Sequence, residues 1–105
     1  MSLTKARSWH VVPFTNSGKT VLAAGTANTR IFVKHIIFTV DSATDIDFRD
    51  EDDRILTCTF QFPHVGAMYA LDQLNILVGI DKDFCVNSSN AVSGSLMLDY
   101  QRIAV

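Results

Sequence analysis

Cysteine is scarce in this chain of 105 residues: Cys58 and Cys85 are the only two. Two thiols cannot build a disulfide framework, and without a third and fourth ligand at suitable spacing they do not make a zinc site either. Charged residues are also few, 19% against a usual fraction of about 25%. The nine basic residues are scattered and the formal net charge is −2, so the electrostatic footprint of a nucleic-acid binder is missing. No apolar run is long enough to span a bilayer, and the N-terminus lacks the apolar stretch of a signal peptide. Synthesis in the cytoplasm, with neither a membrane nor a nucleic acid as partner, is the expectation.

Catalytic signatures are missing in the same way. Ser17-Gly18-Lys19-Thr20 has the ending of a phosphate-binding loop, but Pro13 stands where the motif needs its first glycine. The segment that follows reads as strand, so no helix N-terminus faces a phosphate, and a hairpin turn is expected instead. There is no Gly-x-Ser-x-Gly elbow and no His-x-His cluster of the cupin type. His10, His35 and His64 each stand alone among apolar neighbours, and nothing marks either thiol as activated. The chain reads as a non-enzyme without cofactor or metal.

What is present is β-structure. Thr29-Arg30-Ile31-Phe32-Val33-Lys34-His35-Ile36-Ile37-Phe38-Thr39 is rich in β-branched and aromatic residues, without Gly or Pro, and predicts a long strand with little water on either face. The closing run from Ala91 to Gln101 alternates, with Leu96, Leu98 and Tyr100 on one face and Met97, Asp99 and Gln101 on the other. Trp9 to Thr15 predicts an edge strand, because Pro13 cannot donate to a central ladder. Thr20–Ala24, Asp45–Arg49, Arg54–Phe62, Gln73–Gly79 and Asp83–Asn87 supply further short strands between turn clusters. Ile46 and Phe48 are expected to face inward, and Cys58 to share the core face with Leu56, Phe60 and Phe62.

Asp45, Asp47, Asp50, Glu51, Asp52 and Asp53 form an acidic cluster. It does not fit the calcium loop of an EF-hand, because Arg49 and Asp50 stand where that loop needs a ligand and its glycine. The expectation is a hairpin with Asp45 and Asp47 pointing outward and a solvated tip whose charge discourages edge-to-edge pairing. The whole chain is predicted to be all-β: a flexible arm over residues 1–8, then a single β-sandwich or jelly-roll-like domain of about eight short antiparallel strands over residues 9–105.

The order of these features resembles a group of small all-β virion proteins of tailed bacteriophages. The matching residues are Val21-Leu22-Ala23-Ala24, Arg30-Ile31-Phe32-Val33, Asp45-Ile46-Asp47-Phe48 and Val92-Ser93-Gly94-Ser95-Leu96-Met97-Leu98-Asp99-Tyr100. The resemblance spans Val21 to Ile103; the chain departs from it at His64-Val65-Gly66-Ala67-Met68-Tyr69, where such proteins often carry Gly-rich loops. It implies a capsid decoration, or cement, protein that sits on the outer head surface as a symmetric oligomer, a homotrimer above all, and binds the major capsid protein. It also implies an alternative, a tail or fibre component that binds a receptor carbohydrate. Lys5, Arg7, Trp9 and His10 are the candidate contacts with a partner. Phe62, His64, Met68 and Tyr69 are the candidate oligomer interface, some of the seven Phe being expected there rather than in the core. Tyr69, Tyr100 and Trp9 are the aromatic residues that could stack on a sugar ring.

Overall fold

A computed structural model describes residues 9–14, 17–62, 68–90 and 92–105, with Trp9 described for its backbone alone. Nine strands follow one another: β1 Trp9–Phe14, β2 Gly18–Ala23, β3 Thr29–Val40, β4 Thr44–Asp50, β5 Phe60–Phe62, β6 Met68–Leu71, β7 Ile76–Leu77, β8 Phe84–Ser88 and β9 Gly94–Ala104. They form two antiparallel sheets. The first has the order β1-β9-β3-β6, with β7 pairing the other half of the same β3 edge; the second has the order β2-β8-β4-β5. Taking β6 and β7 as one broken edge strand leaves eight strands in two sheets, connected mostly from one sheet to the other. That is a jelly roll.

Local chemistry explains where strands end. Gln73 and Asn75 both take positive φ, 52° each, which stops the Gln73–Gly79 run from extending as one strand and leaves only Ile76–Leu77 paired. Asp50 closes the β4 turn, its Oδ1 accepting from the backbone N–H groups of Asp52 (2.8 Å) and Arg54 (3.0 Å). After that turn the chain touches β4 by a single Arg49–Ile55 bridge and re-pairs only at Phe60–Phe62. The acidic hairpin therefore exists, but its second arm is mostly irregular. In consequence Cys58 is exposed rather than in the core, because no ladder there holds it to the inward face. The turn at Ser17–Thr20 is not a hairpin either: β1 and β2 lie in different sheets, so Gly18 (φ 81°) begins a strand after a crossing.

A bulge between Val33 and His35 explains the face pattern of β3. Ile31 and Val33 face the core before it; Ile36, Phe38 and Val40 face it after, all 3% exposed or less. Without the extra residue the second half would turn its apolar side chains outward. Phe38 sits at the centre, its ring 5.3 Å from Phe48 and 5.5 Å from Phe60, Phe62 and Tyr69. Phe48 in turn stacks on Phe84 at 5.7 Å. Ile46 and Phe48 are fully buried, as the alternation predicts, and Leu96 and Leu98 cover the same core from β9. Five of the seven Phe are buried here. They are core residues of the protomer because the two inner sheet faces converge on them.

Candidate functional site

The sequence-predicted contacts divide sharply. Lys5, Arg7 and His64 lie outside the described residues. Trp9 pairs by its backbone with Asp99 at the sheet edge. His10 is exposed, with its ring 4.7 Å from that of Tyr100. Phe62 is 2% exposed, so its ring belongs to the core and not to a protruding interface. Tyr69 is half-buried against Phe38, Phe60 and Phe62, and its hydroxyl donates to the Gln61 carbonyl at 2.9 Å. Tyr69 and Tyr100 thus serve different neighbourhoods and form no shared platform. Met68 is exposed (65%) and belongs to the outer face of the first sheet.

That outer face has an organised apolar row. Register places Val11 beside Met97, Met97 beside Ile37, and Ile37 beside Ala70, one residue from each of four strands. The next row is Pro13, Ser95, Thr39 and Met68. Val11 is 69% and Met97 38% exposed, so the row meets solvent across the sheet. Further along the same face His35 lies against Asp72 and Asp99, which explains why Asp99 is buried although it sits on the outward side of β9.

The polar counterpart lies at one end of the sandwich, where two crossings between the sheets meet. The β3–β4 crossing (Asp41–Ala43) and the β8–β9 crossing (Ser89–Ser93) are tied together. Asp41 N–H donates to the Ser93 carbonyl, and the Asn90 side-chain amide donates to the Ala43 carbonyl at 3.2 Å. Asn90 N–H donates to Thr44 Oγ1 at 3.2 Å, and the Ser88 hydroxyl to the Asn90 carbonyl at 2.9 Å. Small hydroxyl and amide side chains suit this task because they substitute for missing ladder partners at strand ends.

Beside this knot is a cleft of about 290 Å³, lined by Ala43, Thr44, Asp45, Gln61, Phe62, Ser89 and Asn90. Its polar wall is a cross-strand row. Gln61 pairs with Asp45 across β4 and β5, and Ser89 flanks Asp45 on the other side, its hydroxyl accepting from Asp45 N–H at 3.0 Å. Phe62, paired with Thr44, backs this row with its ring turned into the core. Among the described residues the carboxylate of Asp45 and the carboxamide of Gln61 have no protein partner, whereas Ser89 and Asn90 are already committed to holding the turns. Two unengaged polar groups in an open cleft can hydrogen-bond the hydroxyls of a small polar ligand.

Sequence reading located both turns, Asp41–Thr44 and Ser88–Asn90, but treated Asp45 only as part of the acidic cluster. Asp47, in that cluster, is buried and paired with Arg49 at 2.6 Å, a hydrogen bond that raises the guanidinium further above its ordinary range. Asp53 and Asp52 pair with Lys19 (3.0 Å) and Lys82 (2.9 Å). No group of three or more His, Cys, Asp or Glu that could hold a metal occurs among the described residues. Asp45 is the exposed carboxylate that the pairing leaves over.

Neither a family model nor a curated protein sequence matches the chain. Among solved structures, the C-terminal domain of EclA, a sugar-binding protein, is similar to it. The TM-score is 0.50 at 14% identity, over 98% of this chain and 83% of that one. The likeness is one of fold: both are β domains of the same architecture.

Proposed function

We propose that this chain is a carbohydrate-binding module that acts by recognition and catalyses no reaction, as a tail or fibre component presents to a receptor. The observation that carries the reading is the Gln61–Asp45–Ser89 row along an open cleft. A carboxylate accepts from two adjacent sugar hydroxyls, and a carboxamide both donates and accepts. The sugar-binding role of the EclA domain with a similar fold supports the same choice.

The test is a glycan array probed with the labelled full chain, followed by titration of the hits with Asp45→Asn and Gln61→Ala. Hydrogen bonds to a charged group are worth about 1.5–3 kcal/mol, so Asp45→Asn is expected to weaken binding by about tenfold or more. An array on which no glycan is retained, or hits that bind both variants as tightly as the parent, would overturn the reading.

A second reading is favoured by the apolar row on the first sheet. In it the chain is a capsid decoration protein in the virion, assembling as a homotrimer through the Val11–Met97–Ile37 face and tying major capsid subunits together by multivalent contact. Light scattering behind a sizing column separates the two. A trimer that Met97→Lys dissociates supports this second reading; a monomer that does not bind expanded phage heads removes it.

A further inference from the structure

A second cleft, of about 300 Å³, lies on the other side of the same knot, lined by Thr39, Val40, Asp41, Ser93, Gly94 and Ser95. Its chemistry is related to that of the first. Ser93 and Ser95 are exposed hydroxyl residues beside Gly94, and Asp41 supplies a carboxylate whose Oδ1 already accepts from Ser93 N–H and the Ser42 hydroxyl. The two clefts share a wall, the Asp41–Ala43 crossing, whose three residues span at most about 10 Å. The wall is braced by the hydrogen bonds from Asp41 to Ser93 and from Asn90 to Ala43, so the clefts are held at a fixed separation.

Size decides what such a pair can hold. Ligand pockets run from about 300 to 1,000 Å³, so each cleft alone stands at the bottom of the range and suits a single sugar ring. Together they offer about twice that volume. Their charge decides the class. Asp45 in one cleft and Asp41 in the other are both exposed acidic residues, and among the described residues no cationic side chain lines either cleft. Like charges in proximity oppose binding, which excludes sialylated and uronate-bearing glycans and favours neutral or amino sugars.

We infer that the two clefts are adjacent subsites for one neutral or amino oligosaccharide lying across the Asp41–Ala43 wall, with one ring in each cleft. The inference rests on the carbohydrate reading of the first cleft and extends it from a sugar to an uncharged chain of sugars. Occupying both subsites at once makes the second contact intramolecular, so affinity rises with chain length until both are filled.

The test uses the full chain and a slide of linear neutral oligosaccharides of one to six residues, with sialylated and uronate-containing counterparts beside them. Hits are followed by titration of the parent chain, Asp45→Asn and Ser95→Tyr. Ser95 is exposed on its strand, and a tyrosine there plugs the second cleft without entering the core. The expected result is an affinity gain of about tenfold or more between one and four residues. Ser95→Tyr should abolish the gain, and acidic glycans should bind more weakly than neutral ones. Single-sugar binding that does not improve with length, or a length gain that Ser95→Tyr leaves intact, overturns the two-subsite inference and leaves the first cleft standing. Preference for acidic glycans overturns its charge class. Absence of any binding overturns both readings together.

Discussion

Asp41 and Ser93 hold each other by two hydrogen bonds of 2.9 Å: Asp41 N–H to the Ser93 carbonyl, and Ser93 N–H to Asp41 Oδ1. They are 52 residues apart, and each begins or ends a crossing between the sheets. The pair therefore fixes the β3–β4 turn to the β8–β9 turn, and both of its residues line the second candidate cleft. Asp41→Ala leaves Ser93 N–H to water, since the site is exposed, and is expected to lower stability by about 1 kcal/mol. Urea unfolding should show a shifted midpoint with an unchanged slope. Glycan affinity should fall with it. Ser42→Ala, which removes a long 3.3 Å hydrogen bond to Asp41, should leave both almost unchanged.

The committed and uncommitted residues of the first cleft should separate in experiment. Gln61→Ala removes a side chain without a protein partner and is expected to change glycan affinity while moving the melting temperature little. Ser89→Ala removes the acceptor for Asp45 N–H and the contact to Thr44 Oγ1, so it should reduce both, stability by about 1 kcal/mol. Parallel calorimetric titration and thermal melts check this. A Gln61→Ala protein that loses stability as Ser89→Ala does would assign Gln61 to the scaffold.

Gly94 is a steric requirement of the first sheet. A Cβ there would lie 2.5 Å from Phe14 Cζ and 2.8 Å from the Thr39 carbonyl oxygen, because the Phe14 ring packs over the bare backbone between β1 and β3. Gly94→Ala is expected to destabilise by about 1–3 kcal/mol as the ring and the strand end shift. Gly79→Ala meets only the flexible Lys82 side chain and should cost little. A Gly94→Ala midpoint equal to that of the parent would contradict this packing.

How far the fold could be read ahead follows from what each signal reports. The Thr29–Val40 and Leu96–Tyr100 runs were legible because alternation and β-branching act locally, residue by residue. So was Pro13 at an edge. The Val33–His35 bulge was not, since register depends on the partner strand, and nothing in Lys34 itself announces an extra residue. Cys58 was misplaced for a related reason: its alternation with Leu56 and Phe60 is real in the sequence, but the chain between the Arg49–Ile55 bridge and Phe60 forms no ladder that would enforce it. The clefts were invisible because Asp45, Gln61 and Ser89 converge only through the sheet order, which no single strand encodes. Two Ser/Asn/Asp turn clusters at the ends of long strands were the nearest available sign.

The two thiols should behave oppositely, and one of them reports on stability at high pH. Cys58 is exposed and should react with a thiol reagent in the native protein, whereas Cys85 is fully buried between Val21 and Arg49 in the second sheet and should react only on unfolding. Burial first of all, with Asp83, Glu51 and Asp50 adding to it and Lys19 opposing, pushes the Cys85 pKa up from 9.0 to about 11. The neutral thiol is thus favoured by folding. Below pH 9 both states keep the proton and stability is unaffected; from about pH 9 to about 11 the unfolded chain ionises first, and stability falls. A shift of this size corresponds to a loss of up to about 3 kcal/mol across that window. Urea unfolding at pH 8 and pH 10.5 should show the loss in the parent and a much smaller one in Cys85→Ala, compared with each protein's own value at pH 8. Equal losses in the two proteins would place the titrating group elsewhere.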